Sequence, residues 1–412
     1  MNAVKSGFLH IGCWLLSGLS AAVQALPDGP GQQEVTAICS ACHETRLIER
    51  SSGYSQGDWR ALISTMIELP PETEAVITGY LAEHFPPNDR RTPTLIAGSV
   101  EIDFQSWLVP TLGQRSRDPV EAPDGSIWWV GQGLDIVGRI DPKTGAMREY
   151  PTAVGAKPHS VTPDKDGAMW YLGNKNGTVG KLDPETGDIV EYPMPDPEAR
   201  DPHTGEFDAQ GRFWFTLQHS NRVGRLDPAS GDIQLIELDR PRSRPYGIKI
   251  DRAGDVWVAC NGGPCLYHLD GKSMAATRID LPNQESHVRR LDIAADGIIW
   301  YVNSGAGRLG RYDPDTGVIR EWPSPSGPKS HPYAILIVDG AIWYNESGMR
   351  PDALVRFDPE DETFQSWPIP SSGFYAGILR HMRAAENGDL LIHQSATNHI
   401  IRVSVSEASG DD

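Results

Sequence analysis

A tryptophan recurs along this chain at a nearly constant interval. Trp128, Trp170, Trp214, Trp257, Trp300 and Trp343 are 42, 44, 43, 43 and 43 residues apart. Each lies in a segment with four short runs of β-branched and aromatic residues, separated by turn signals such as Asp166-Gly167 and Asn176-Gly177; residues 158–193, 202–239 and 287–323 are clear copies. The repeat predicts the blades of a β-propeller, because one small sheet buries both faces only when neighbours stack on it radially.

A seventh copy lacks the tryptophan and one strand. Residues 377–405 carry Leu391 in the tryptophan position, and the repeat stops before a fourth strand. Residues 100–110 match the fourth-strand pattern of residues 362–368 and precede the first full copy. Pairing this strand with the last blade would close the ring and remove two exposed sheet edges. The sequence therefore predicts a mainly β protein with seven blades over residues 100–405, followed by a tail at 406–412.

The N-terminal residues indicate export. Residues 1–25 contain one lysine, an apolar run over 8–19, and Val23 and Ala25 at the −3 and −1 positions of a cleavage site. They predict a signal peptide and a periplasmic or secreted protein without a membrane span after cleavage. The alternatives are a membrane anchor and lipidation of Cys13. In an oxidising compartment, Cys260 and Cys265 are expected to form a disulfide.

The charge of the chain excludes some partners. It has 37 Lys and Arg against 55 Asp and Glu, a net charge of -18, and no basic cluster offsets that excess. Nucleic acid and anionic membrane surfaces are therefore poor partners.

A haem-attachment motif follows the predicted signal peptide. In Cys39-Ser40-Ala41-Cys42-His43, the two thiols would form thioethers to the haem and His43 would bind the iron. The alternatives for such a cysteine pair are a redox or a zinc site. Helical patterns begin at Asp58 and at Glu72, and Pro86-Pro87 ends the second. Together they predict a small all-α haem domain.

Residues 28–87 resemble a small class I cytochrome c domain, on the motif above and on Tyr80-Leu81 in the last helix. The resemblance implies covalent haem c, electron transfer with a redox protein partner, and a methionine as the second axial ligand. Met66 is the only methionine in this segment, so it is the predicted ligand of the haem iron, with His84 as the competitor. Residues 88–99 lack periodicity and are predicted to be a linker.

Polar side chains open several of the repeats. They are His159, Asp201, His203 and Tyr246, followed by His287, Arg289, Tyr333, Arg380 and His381. Because first strands line the channel of a propeller, these groups are expected to converge and form a pocket suited to acid-base chemistry. The alternative is that they only satisfy one another and water at the channel mouth.

The repeated pattern, read as PxGI, DGxxWF, GR(I/L)D and EYP, resembles the streptogramin B lyase family, also called virginiamycin B lyases. The resemblance implies a seven-bladed propeller that opens a cyclic depsipeptide by magnesium-dependent elimination. It assigns the active site to His159, Asp201, His203 and Tyr246. Within that set we expect His203 to act as acid or base, Asp201 to orient or charge-stabilise one imidazole, and His159 and Tyr246 to position the substrate. Two positions depart from the family: Gln218 replaces a glutamate, and Asn174 replaces an aromatic residue. Magnesium would contact Asp201 and Gln218, a weak site because magnesium prefers carboxylates.

Three functions follow from these features. The first is a haem c oxidoreductase whose propeller binds a small-molecule substrate or a partner. The second is a carbon-oxygen lyase acting on a cyclic ester, and the third is a binding module without chemistry. The sequence favours the first, because a covalent redox centre has little purpose in an elimination that transfers no electrons.

Overall fold

The protein is described by a computed structural model covering residues 26–40, 45, 48, 54–86, 91–370 and 379–407. The predicted signal peptide and residues 408–412 lie outside these ranges, as do Cys42 and His43 of the haem motif. The described N-terminal part contains α1 (Gln32–Cys39), α2 (Gln56–Ser64) and α3 (Pro71–His84). Within the described ranges, no helix has the length and apolar character needed to cross a membrane.

The rest of the chain forms seven four-stranded sheets, which confirms the predicted seven-bladed propeller. Blade 1 consists of β2 (Ser116–Glu121), β3 (Ile127–Gly131), β4 (Ile136–Ile140) and β5 (Met147–Pro151). Blade 2 consists of β6 (Pro158–Pro163), β7 (Met169–Gly173), β8 (Thr178–Leu182) and β9 (Ile189–Pro193). Blade 3 consists of β10 (Pro202–Phe207), β11 (Phe213–Leu217), β12 (Arg222–Leu226) and β13 (Ile233–Glu237). Blade 4 consists of β14 (Pro245–Ile250), β15 (Val256–Cys260), β16 (Cys265–Leu269) and β17 (Ala276–Asp280).

The remaining blades follow the same antiparallel order. Blade 5 consists of β18 (Val288–Ile293), β19 (Ile299–Asn303), β20 (Arg308–Tyr312) and β21 (Ile319–Pro323). Blade 6 consists of β22 (Pro332–Val338), β23 (Ala341–Glu346), β24 (Ala353–Asp358) and β25 (Thr363–Pro368). Blade 7 consists of β26 (Arg383–Ala384), β27 (Leu390–Gln394), β28 (His399–Glu407) and β1 (Val100–Leu108).

The recurring tryptophan lies on the second strand of blades 1 to 6 and packs against the other strands of its blade. In blade 2, Trp170 stacks on Tyr192 of the fourth strand, with ring centroids 5.5 Å apart and an interplanar angle of 16°. Its indole N–H donates to Asp164 in the turn between the first two strands, at 2.9 Å. Blades 3 and 4 repeat the indole-to-aspartate bond at 2.8 and 3.0 Å. The same contact in successive blades explains the constant spacing of the tryptophans.

A glycine in the third strand makes room for an aromatic ring of the second. A Cβ on Gly180 would lie 2.1 Å from the ring of Tyr171, and one on Gly138 would lie 2.1 Å from the indole of Trp129. No side chain fits there without displacing the core, since protein interiors are close-packed. This requirement accounts for the glycine in the repeated Val-Gly-Arg and Val-Gly-Lys strings.

The ring is closed by the strand that the sequence analysis placed there. Strand β1 pairs with β28 in an antiparallel register that runs from Val100 opposite Glu407 to Leu108 opposite His399. The last blade therefore combines strands from both ends of the propeller. The predicted disulfide is also present: Cys260 and Cys265 join β15 to β16, with Cα atoms 5.4 Å apart.

The helices pack on the propeller around one apolar cluster. Its buried members include Val35, Trp59, Ile77 and Leu81 from the three helices and Ala396 from blade 7. The small all-α cytochrome c-like domain stays a prediction, because Ala41, Cys42 and His43 of its haem motif lie outside the described residues.

Thr65, just after α2, fixes where the helices sit. Its hydroxyl donates to the carbonyl of Ala396 at 2.9 Å, and its carbonyl accepts from the Asn398 side chain at 2.6 Å and from the Gly113 N–H at 2.9 Å. Ala396 and Asn398 belong to the turn between β27 and β28, and Gly113 to the connection from β1 to β2. In this meander both kinds of connection lie on the face where the first strands begin. The helices thus occupy the face of the channel mouth.

Candidate active site

The first strand of a blade begins with a repeated backbone distortion. In blades 1 to 6 the register of the first strand shifts near its start, as at a β-bulge. In five blades the residue just before the strand has a positive φ, between 47° and 62°: Arg115, Lys157, Asp201, Arg244 and His331. Such a conformation is costly for a residue with a side chain and persists where the surrounding structure imposes it. It brings the chain into the channel in the same way in successive blades.

The second position of each first strand faces the equivalent positions of its neighbours. We call the seven residues at this position the inner ring: Arg117, His159, His203, Tyr246, Arg289, Tyr333 and Arg380. Blade 7 is aligned through Arg383, which pairs with Leu391 as Thr162 pairs with Trp170. The ring has two parts. The acid-base arc is His159, His203 and Tyr246 of blades 2 to 4. The cationic arc is Arg289, Tyr333, Arg380 and Arg117 of blades 5, 6, 7 and 1.

The acid-base arc brings together three of the four predicted site residues. The rings of His159 and His203 have centroids 3.6 Å apart, and those of His203 and Tyr246 are 4.0 Å apart. All three side chains are buried. His159 Nδ1 lies 2.9 Å from the carbonyl oxygen of His203, so Nδ1 carries the proton and donates. The neutral imidazole then has its basic nitrogen at Nε2.

Both imidazoles are neutral near pH 7. Burial lowers the pKa of His159 well below its usual value, and the Arg117 guanidinium adds to the effect. Burial, with Arg290 and Arg117, lowers the pKa of His203 in the same direction. A neutral imidazole next to guanidinium groups can accept a proton from a substrate.

Tyr246 and Tyr333 connect the two arcs through a hydrogen bond between their hydroxyls. The guanidinium of Arg289 lies 4.7 Å from the ring centroid of Tyr333, and that of Arg380 lies 5.8 Å from it. Burial opposes ionisation of Tyr333, but Arg289 and Arg380 outweigh it and lower its pKa to about 7. Burial, with Tyr333, raises the pKa of Tyr246 to about 12. One phenol therefore ionises near neutral pH while its partner keeps its proton.

Asp201 lies beside the ring but bonds elsewhere. Its Oδ2 accepts from the backbone N–H of His219 at 2.8 Å and lies 2.7 Å from His219 Nδ1. Burial raises its pKa more than these hydrogen bonds lower it. His203 Nδ1 instead lies 2.9 Å from the hydroxyl of Thr204. The imidazole that Asp201 orients is thus His219, a residue that the sequence analysis did not single out.

The two positions that depart from the family pattern have different surroundings. Asn174 is buried and donates to the carbonyl of Pro202 at 3.2 Å, so it joins blade 2 to blade 3. Gln218 is half-buried and directly follows β11.

The described residues offer little for magnesium at the channel mouth. Asp201 Oδ1 is buried without a hydrogen-bond partner among the described residues, so this carboxylate supplies one ligand atom. Magnesium is usually held by one or two carboxylates with water or substrate oxygens. In the described chain, the one group of three residues with potential ligand atoms within 4.8 Å of one another is Asp251, Asp255 and His268 in blade 4. Asp251 there already accepts from Trp257. Magnesium on Asp201 and Gln218 remains a prediction.

A buried carboxylate stabilises the layer beneath the ring. Asp118 lies 2.9 Å from His381 Nδ1, 3.8 Å from Arg290 Nη2 and 3.9 Å from Arg383 Nη2. Although burial acts in the opposite direction, His381 and the arginines hold the pKa of Asp118 well below its usual range. Arg117 and Asp118 were not predicted, because blade 1 begins with Ser116-Arg117 instead of Pro-His. Alignment of that pair with Pro158-His159 is the signal that locates them.

Two of the predicted haem residues are described. Cys39 ends α1, Met66 follows α2, and both are half-buried against the apolar cluster of the helices. His84 Nε2 is buried without a hydrogen-bond partner among the described residues and faces Gly29, where a Cβ would be 2.7 Å from it. The assignment of Met66 or His84 to the haem iron stays a prediction.

The radial sheets and the polar channel mouth define the protein as a seven-bladed β-propeller with a candidate active site on one face. Residues 99–266 match the Virginiamycin B lyase family. No curated protein matches the chain.

Solved structures share this fold. Selenomethionine-substituted virginiamycin B lyase from Staphylococcus aureus is 22% identical, with a TM-score of 0.66 over 74% of this chain and 99% of that chain. A streptogramin B lyase structure is 21% identical, with a TM-score of 0.67 over 74% of this chain and 98% of that chain. Hydrazine synthase from Kuenenia stuttgartiensis is 13% identical, with a TM-score of 0.57 over 74% of this chain and 98% of that chain. At these identities the similarity concerns the fold alone.

Proposed function

We propose that the channel mouth is the active site of a lyase that eliminates across a carbon-oxygen bond of a small molecule. The observation that carries this proposal is the contact of two buried neutral imidazoles, His159 and His203, with the Tyr246 phenol. An elimination needs a base and an acid close together, and this arc supplies both.

The proposed reaction is a redox-neutral elimination that begins with abstraction of a proton. His203 takes a proton from the carbon next to a carbonyl group, and the released electron pair forms a carbon-carbon double bond. The bond from the neighbouring carbon to oxygen breaks, and its electron pair leaves with the oxygen as the carboxylate of the opened ester, to which Tyr246 donates a hydrogen bond. Its raised pKa of about 12 keeps Tyr246 protonated, so it can turn its hydroxyl from Tyr333 to this oxygen and act as a hydrogen-bond donor. His159 holds the substrate against the arc, since its Nδ1 is already engaged with the backbone.

A cyclic ester is the substrate class to test first. A structure of catalytically inactive virginiamycin B lyase from S. aureus was solved with quinupristin, a molecule that can serve as the probe. Full-length protein is incubated with quinupristin, with magnesium or with a chelator, and ring opening is followed by chromatography. We expect ring opening by elimination, without any electron acceptor. Intact quinupristin after long incubation with magnesium would reject this substrate class.

Haem c electron transfer is a second candidate. It is supported by the packing of Cys39 and Met66 against one apolar cluster and by the docking of the helices on the face of the channel mouth. Bound haem would supply one-electron chemistry, with thioethers to Cys39 and Cys42 and with His43 and Met66 on the iron. An exported location, which haem attachment requires, is supported by the Cys260–Cys265 disulfide.

The haem proposal has a direct test. Protein from an exporting host with haem-attachment machinery should retain haem stain on a denaturing gel, and Cys42→Ala should weaken or abolish the stain. A matched control is Cys13→Ala, in the predicted signal peptide. Wild-type protein that loses all haem under these conditions would remove the electron-transfer candidate and leave the lyase proposal intact.

A further inference from the structure

We infer that the cationic arc binds an oxyanion of the substrate, a carboxylate or a phosphate, and holds the substrate's reacting carbon over the acid-base arc. This inference rests on the proposed function in one respect only: it places the substrate at the inner ring.

Positive charge is concentrated at the inner ring. Three of the seven inner-ring residues are arginines, and none is a carboxylate. Asp118, a buried carboxylate below the ring, is already shared by His381, Arg290 and Arg383. It therefore cannot fully neutralise the arc above it. In a chain of net charge -18, this concentration of positive charge at the channel mouth is a local feature with its own cause.

Several buried guanidinium N–H groups near the ring have no hydrogen-bond acceptor among the described residues. Arg117 is 2% exposed, and its Nη1 donates to Gln132 at 2.8 Å. Its Nε and Nη2 are buried and have no partner among the described residues, and the same is true of Nε of Arg115 and Arg380. A buried guanidinium with open donors is costly, because it has lost water without gaining an acceptor. A planar carboxylate or a phosphate would satisfy these donors with charge-assisted bonds.

The guanidinium groups at the ring repel one another. Burial, together with Arg380 and Arg117, lowers the pKa of Arg115 to about 9. The same positive field ionises Tyr333, which supplies partial compensation inside the arc. An incoming anion would relieve this repulsion, whereas a cation such as magnesium would add to it. The arc is therefore selective for anions.

An anion bound at the cationic arc would lie close to the histidines of the acid-base arc. An oxyanion held by Arg117 and Arg380, on blades 1 and 7, places the rest of a small substrate beside His159 and His203 on blades 2 and 3. Removal of a proton next to a carbonyl group places negative charge on oxygen in the transition state. Guanidinium groups already fixed in the site stabilise that charge without reorganisation. The arc thus offers the stabilisation that a metal ion would otherwise give.

The test measures anion binding apart from turnover. Full-length protein is titrated calorimetrically with malonate, inorganic phosphate and the neutral analogue malonamide. We expect saturable one-to-one binding of malonate or phosphate, with a Kd on the order of 1 mM or tighter, and none of malonamide. Preference for malonate would identify a carboxylate as the group recognised, and preference for phosphate would identify a phosphoryl group.

Substitutions locate the binding. Arg117→Met should weaken the bound anion roughly tenfold or more, since a charge-assisted pair is lost. The control is Arg320→Met, which removes an arginine paired with Glu362 on the outside of blade 5. Removing a buried charge and keeping its volume is not expected to unfold the protein, and Arg380→Met provides a second variant. Melting curves verify folding in each case.

The outcomes separate this inference from the proposed lyase activity. The inference is overturned, whatever the activity, if the wild type shows no saturable anion binding. It is also overturned if Arg117→Met and Arg380→Met both bind the anion as tightly as the wild type does. Anion binding that follows the cationic arc, in a protein that opens no cyclic ester, supports the inference and rejects the proposed reaction on that substrate.

Discussion

The two arcs of the inner ring share one backbone and differ in chemistry. His159 and Arg117 occupy the same position of the first strand in adjacent blades, and each strand carries the same register shift. On blades 2 to 4 that position holds neutral imidazoles and a phenol; on blades 5, 7 and 1 it holds guanidinium groups. The comparison teaches that the repeat decides where a side chain points, and the residue placed there decides what it does. A function can therefore be built by substitution at seven equivalent positions without altering the fold.

The largest effect is expected in the acid-base arc. His203→Asn should lower turnover of a cyclic ester by about 10²- to 10⁴-fold, because it removes the group that takes the proton. Anion binding by the cationic arc should change little. His268→Asn is the matched control, since His268 lies on β16 and away from the ring. Equal turnover in the two variants would show that the arcs do not divide the work in this way.

A smaller effect is expected from the phenol that links the arcs. Because the pKa of Tyr333 is lowered from 10.0 to about 7, its ionised form is favoured in the folded state. The contribution of Tyr333 to stability is therefore fully present above pH 10 and is lost as the pH falls through about 7. Relative to Tyr333→Phe, the wild type should gain stability from pH 7 to pH 10, by at most about 4 kcal/mol. Chemical denaturation across this range measures the difference.

A spectroscopic titration checks the same group. Tyrosinate absorbance should appear near pH 7 in the wild type and be missing there in Tyr333→Phe, while Tyr267→Phe, at a residue on β16, should retain it. A bound oxyanion should move the transition to higher pH, because it adds negative charge beside the phenol. A wild-type titration indistinguishable from that of Tyr333→Phe would mean that the cationic arc does not ionise this tyrosine.

The smallest effect is expected at the position where the family has a glutamate. Gln218→Glu adds a carboxylate next in sequence to His219, the partner of Asp201. If magnesium contributes, the substitution should raise the magnesium-dependent rate of ring opening, by about tenfold or less. The control is Gln210→Glu, in the turn before β11. If the rate of ring opening does not depend on magnesium in the wild type or in Gln218→Glu, the cationic arc is sufficient to stabilise the transition state without a metal ion.

Much of the fold could be predicted because each blade repeats one physical requirement. The tryptophan packs inside its blade in six of the seven repeats, and in blades 2 to 4 its indole also donates to an aspartate, so the requirement is visible as a spacing. The convergence of His159, His203 and Tyr246 was predictable for the same reason, since equivalent positions of first strands meet at the channel. Whether these residues are catalytic stays a prediction.

Other parts of the site had no such signal. Arg117 and Asp118 follow a serine, so the Pro-His pattern did not reveal them. The partner of Asp201 could not be predicted either, because it depends on a left-handed residue conformation and on a turn 18 residues away. The helices pack through Thr65 and Ala396, two residues that carry no recognisable motif. Pattern reasoning finds what a fold repeats, and contacts made once escape it.

The closing strand sets an order of events during synthesis. Strand β1 leaves the ribosome before the other propeller strands, and β28, its partner, leaves last. Until then the growing propeller is an open arc with an unpaired edge at each end. The helices ahead of β1 cannot settle between blades 7 and 1 before that moment, because the turn carrying Ala396 directly precedes β28. Any modification of the N-terminal segment that needs access by another enzyme thus has a time window, and closure of the ring ends it.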